Sequence, residues 1–161
     1  MSSELEILLA SMVACGQRVQ KLGYSLNKNR ALFPMTPQSV STLSDDQEES
    51  IDALILRYSQ CVAMIQDQIF RGLAYVEQED LSDKSNRDKT LLMEKLGAIK
   101  SADDFGTAAV LRNKFSHHYP EEAEVRTERP NLVIQEAEFV IATFRDISDY
   151  LQRKGFATPS V

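Results

Sequence analysis

The feature that most limits what this chain can become is a set of apolar rows repeating at helical spacing over three long segments. Between residues 47 and 80, Ile51, Tyr58 and Ile65 recur at seven, and Ile55, Val62, Ile69 and Val76 interleave with them. A repeat of seven returns side chains to one face of an α-helix, so the spacing predicts a long helix whose seam packs against another helix. Arg57 and Arg71 fall off the centre of that seam. Residues 4–27 carry a second stripe, with Leu5, Met12, Val19 and Leu26 in one row and Leu8, Cys15 and Leu22 beside it. Residues 131–154 carry a third: Val133, Ala137, Val140, Phe144, Ile147 and Leu151, widened by Ile134 and Ile141 and stopped by Gly155. No stretch shows the period of two that a half-buried strand requires. The expectation is an all-α, up-and-down helical bundle of about five helices, two or three of them long.

Local signals set the boundaries. Ser44 and Gln47 form a capping-box pattern, and Asp45, Asp46, Glu48 and Glu49 load the first turn of the long helix with favourable negative charge. Residues 28–44 contain Pro34, Pro37 and a Ser/Thr cluster and keep no period. They read as a long loop or partly ordered connector, with Leu32, Phe33 and Met35 docking onto the bundle. After a break at 81–86, a short helix over 87–97 carries Leu91, Leu92 and Leu96 and ends at Gly97. Ser101 and Asp104 open another helix over 102–117, and Pro120 with Glu121, Glu122, Ala123 and Glu124 forms a loop behind it. At 161 residues one domain is expected, residues 1–155, with 156–161 as a tail.

Composition excludes more than it assigns. No apolar run approaches the roughly 20 residues of a membrane span, and the acidic start, Glu4 and Glu6, lacks the basic region of a signal peptide. Cys15 and Cys61 lie within apolar helical patterns and read as buried free thiols of a reducing compartment, so a cytoplasmic location is expected. A net charge of −6 argues against coating nucleic acid by bulk electrostatics, though not against holding a short RNA segment in a local basic cleft. Two histidines and two scattered cysteines build no metal cluster, and no HExxH, P-loop or dinucleotide fingerprint is present. No cofactor or metal is expected, which leaves acid–base chemistry if the chain is an enzyme.

The polar groups that could do such chemistry gather in residues 111–120, Leu-Arg-Asn-Lys-Phe-Ser-His-His-Tyr-Pro, which hold both histidines. On a helix over 102–117, Phe105, Ala108, Ala109 and Phe115 share one side, and Arg112 projects into the middle of it. An arginine there either snorkels, pairs with an acid from a neighbouring helix, or serves a site. His117 lies five residues on, about 140° round a regular helix, so one regular helix cannot aim both groups at one atom. Either the helix unwinds before Pro120, or two copies of the chain meet and complete each other's site. Taken singly, His117 is a helix-end dipole contact, Tyr119 a packing aromatic and Asn113 a solvent-facing polar residue.

Together these residues carry a resemblance. The pattern Arg112-x4-His117-x-Tyr119, with Asn113 after the arginine and Pro120 after the tyrosine, resembles the signature of the HEPN superfamily, in particular the HepT-like toxins. The stretches Asp52–Tyr58 and Leu92–Gly97 are similar to that family too, and the likeness spans roughly residues 47–153. His118 departs from it, standing where many relatives carry an acid, and the 28–44 segment has no counterpart. The resemblance implies an α-helical homodimer that cleaves RNA without a metal, as the endoribonuclease toxin of a toxin–antitoxin pair. Arg112 would stabilise charge on the scissile phosphate and His117 would act as general acid or base. Asn113 would orient Arg112 or a phosphate oxygen, and a partner nucleotidyltransferase antitoxin would silence the site by adenylylating Tyr119. The alternative it leaves open is a non-catalytic HEPN helical module that binds such a nucleotidyltransferase.

Overall fold

A computed structural model of the chain describes residues 2–115 and 123–158, and among these residues every regular element is a helix. The all-α bundle expected from the apolar rows is the fold. Helix α1 (Ser3–Asn29) starts where the Ser2 hydroxyl accepts the Leu5 N–H at 3.1 Å, relieving one of the unpaired donors of a helix start. Its inward row is Leu8, Cys15 and Leu22, all fully buried. At its far end the buried Asn29 donates to the carbonyls of Ser25 (2.8 Å) and Ser50 (3.3 Å), tying α1 to the helix that follows the connector.

The connector is more ordered than its lost periodicity implies. A 3-10 turn (Arg30–Leu32) leads to helix α2 (Pro37–Ser41). Thr36 and Ser39 form a capping box around Pro37, which supplies its fixed φ at the first helical position. The expected docking holds: Met35 is buried, and Leu32 and Phe33 pack against the core. Met35 is also bonded through both backbone groups to the Asn131 amide, at 2.8 and 3.0 Å.

Helix α3 (Asp45–Met64) begins at the expected Ser44–Gln47 box and runs through a wide π turn (Ile65–Ile69) into α4 (Phe70–Val76). Ile51, Ile55, Tyr58, Val62, Ile65 and Ile69 are all buried, as their spacing requires. Beyond the π turn the inward row becomes Phe70, Leu73 and Ala74, and Val76 is left only partly buried. The helix ends at Val76 rather than near 80, because Gln78 takes a left-handed φ of 60°.

Helix α5 (Asn86–Leu96) closes at Gly97, whose φ of 90° favours glycine. It buries Thr90 and Met93, not Leu91, which is 42% exposed; Leu92 and Leu96 lie on the flank of the docked face. Helix α6 (Ala102–Lys114) is three residues shorter than expected. Helix α7 (Ala123–Arg153) is longer, starting eight residues before the predicted 131 and running through Pro130. Proline removes one backbone donor, but here its ring is buried beside Met35 and Val40, which favours continuing the helix. Ala123 and Glu124 are therefore helical, not loop. Gly155 ends α7 with a φ of 75°, and the Phe156 N–H returns to the Leu151 carbonyl at 2.9 Å. Cys15 and Cys61 are buried free thiols, and among the described residues no helix is long and apolar enough to cross a membrane.

Candidate functional site

The site is built on α6. Its N-terminus is held twice: the Ser101 hydroxyl accepts the Asp104 N–H at 3.1 Å, and the Glu94 carboxylate accepts the Ala102 N–H at 2.6 Å. Phe105 and Ala108 are fully buried, and Phe105 meets Phe70 at 4.9 Å between ring centroids in a tilted pair. One turn further on, the buried Tyr58 of α3 donates its hydroxyl to the Ala108 carbonyl at 2.6 Å. Burial and the carboxylate of Glu136 hold that hydroxyl protonated, well above the usual tyrosine range.

Arg112 follows Ala108 by four residues and is half-buried. It lines a groove of about 360 Å³ between α3 and α6, together with Asp52, Leu56, Ser59, Gln60 and Phe115. Its Nη1 donates to the Asn113 Oδ1 at 3.3 Å. No carboxylate among the described residues lies within ion-pair distance of Arg112. The helix closes at once: the Phe115 N–H bonds back to the Arg112 carbonyl at 3.1 Å, and Arg129 of α7 donates to the Lys114 carbonyl at 3.3 Å. A cation at that position also suits the negative end of the α6 dipole. Because α6 ends at Lys114, the constraint that a regular helix over 102–117 would place on Arg112 and His117 does not arise. His117, His118, Tyr119 and Pro120 lie outside the described residues.

Three side chains around α3 and α6 were not singled out as site residues by the sequence. Asp52, one wall of the groove, has its carboxyl pushed above the usual range by burial and by Glu48 and Glu49, against an opposing pull from Arg126. Arg126 lines the adjoining cavity of about 590 Å³ and approaches Glu48 at 3.5 Å. Tyr58 is the third; a hydroxyl bond across 50 residues of chain has no periodic signature. Among the described residues no group of three or more His, Cys, Asp or Glu could hold a metal ion. Compared with known proteins, the chain matches no family model, no curated protein and no solved structure.

Proposed function

We propose that this chain is a metal-independent endoribonuclease toxin of the HEPN type, acting as a cytoplasmic homodimer whose two motif segments line one RNA-binding cleft. The observation that carries the reading is Arg112. It stands half-buried near the C-terminal end of α6, bonded to Asn113, and among the described residues no carboxylate lies within ion-pair distance of it. A solvent-accessible guanidinium beside a groove is free to receive an anion, and a phosphodiester fits its fork. Leu56, 57% exposed on the same groove, gives that face an apolar element a second subunit could cover.

In this reading His117 takes the proton of the attacking 2′-hydroxyl or delivers one to the leaving 5′-oxygen, its ordinary pKa being close to working pH. Arg112 holds the charge that builds on the phosphate between them. Adenylylation of Tyr119 by a cognate nucleotidyltransferase would add negative charge beside Arg112 and close the cleft. The net charge of −6 favours a second reading, a non-catalytic module that binds the nucleotidyltransferase. The deciding experiment is cleavage of single-stranded RNA by the pure protein in chelator, alongside Arg112→Ala and His117→Ala. Loss in both variants supports the assignment. Equal cleavage in all three removes it, and no cleavage with tight nucleotidyltransferase binding selects the second reading.

A further inference from the structure

We propose that Tyr58 is a positioning residue for Arg112, setting the angle at which α6 presents the guanidinium to the groove. The catalytic consequence rests on the ribonuclease reading above; the geometry does not. In an α-helix the Ala108 carbonyl accepts the N–H of the residue four places on, which here is Arg112. The same oxygen takes the Tyr58 hydroxyl at 2.6 Å. One atom therefore joins α3 to the backbone that carries Arg112, about one turn, 5.4 Å, from the functional side chain.

Among the described residues this is the hydrogen bond that links α3 and α6, whose buried apolar residues belong to one core. Apolar packing sets how close two helices lie but resists sliding and rotation weakly, whereas a short hydrogen bond is directional. The bond also joins the two helices that wall the groove. Ile55, Leu56, Ser59 and Gln60, its α3 wall, flank Tyr58 in sequence, while Arg112 and Phe115 form the α6 wall beyond Ala108. Tyr58 is fully buried and faces Glu136 of α7, whose carboxyl is itself pushed up by burial and by Asp104, so the hydroxyl stays a donor across the working pH range. Catalytic groups tolerate about 0.5 Å of error in position, and misplacement of about 1 Å can cost 10²-fold in rate.

The test is Tyr58→Phe, which removes the hydroxyl and keeps the ring. The Ala108 carbonyl retains the Arg112 N–H, so no buried acceptor is orphaned and the variant folds. Hydrogen exchange at the Arg112 amide is expected to quicken while amides in α1 and α7 keep wild-type rates. The kcat for RNA cleavage should fall about 10- to 100-fold, with KM nearly unchanged. Leu151→Ala, in the last turn of α7 and away from α6, is the control, lowering the melting temperature through lost packing while keeping kcat within about twofold of wild type. Wild-type exchange at Arg112 in Tyr58→Phe overturns the proposal. So does quickened exchange with unchanged kcat where Arg112→Ala abolishes cleavage, since the bond would then be structural alone. If Arg112→Ala cleaves normally, the ribonuclease reading fails separately, and the exchange measurement still decides whether Tyr58 holds the Arg112 turn. Should Tyr58→Phe not fold, the wild-type protein supplies the readout: a slowly exchanging Tyr58 hydroxyl proton supports the bond, and a fast one overturns it.

Discussion

Two glycines in helix interiors should respond to alanine with opposite signs. A Cβ built on Gly72 of α4 stands 3.2 Å from Leu8 Cδ1 and 3.3 Å from Leu8 Cβ, with the Leu8 Cα at 3.6 Å. One built on Gly23 of α1 meets nothing within 4 Å. Replacing a mid-helix glycine by alanine favours folding by about 0.5–1 kcal/mol, since less backbone freedom is lost. Nothing opposes that gain at Gly23. At Gly72 the obstacle is partly the Cβ of Leu8, which cannot swing aside because it rides on the α1 backbone. Overpacking of this kind costs about 1–3 kcal/mol, so the balance is a loss of about 1 kcal/mol. For a chain this size each kcal/mol shifts the melting temperature by about 2–4 °C. Urea unfolding followed by circular dichroism, with thermal melts, should place Gly23→Ala above wild type and Gly72→Ala below it. Equal stabilisation by both would refute the close approach of α1 to α4.

Ser101→Ala deletes the cap that accepts the Asp104 N–H and should lower stability by about 1 kcal/mol in urea unfolding, without altering helix content. Glu136 has its carboxyl raised, first by burial and then by Asp104, so ionising it weighs against the folded state. That cost is absent below the unfolded glutamate pKa of about 4.3 and grows as pH rises through the raised folded value. Glu136→Gln should therefore raise the melting temperature at about pH 7.5, and the gain should vanish near pH 3.5; a gain independent of pH would contradict the burial argument. Cys15 and Cys61 are fully buried, and burial pushes both thiols up to about 12. A water-soluble disulfide reagent should label neither in the native protein and both in denaturant, with rapid native labelling as the contrary result.

The long rows were legible because each helix buries one face and keeps it buried over many turns. Leu8, Cys15 and Leu22, or Val133, Ala137 and Val140, needed no further information. The ends were less legible, and the misreadings have causes. Thr36-Pro37-Gln38-Ser39 is a helix start, but a helix of five residues is too short to show a period. Pro130 looks like a boundary, yet one missing donor is a small loss where the ring is buried. Leu91 looked more like core than Met93, because an eleven-residue helix leaves the direction of its face to its neighbours. At the site, Arg112 and Asn113 were visible as adjacent polar residues directly after the apolar run Ala108–Leu111. Tyr58 was visible only as a seam residue, since its ring follows the period and its hydroxyl does not.

The wide turn at Ile65–Ile69 bears on how the chain tolerates changes in length. A π turn holds one residue more than an α turn, so it behaves as a single-residue insertion inside an otherwise continuous rod. Tyr58, Val62, Gln66, Phe70 and Ala74 stay buried although steps of four outrun the 3.6-residue pitch, and the extra residue is what keeps them in phase. Removing one residue from Gln66–Gln68 would let Asp45–Val76 continue as a regular helix with both halves still facing their partners. Removing one between Asp45 and Met64 would instead rotate the residues on one side of the cut by about 100° relative to those on the other, so Ile51 and Gly72 could no longer both face the core. The rod thus has one place where its register can be edited, between the half that carries Tyr58 and the half that carries Gly72.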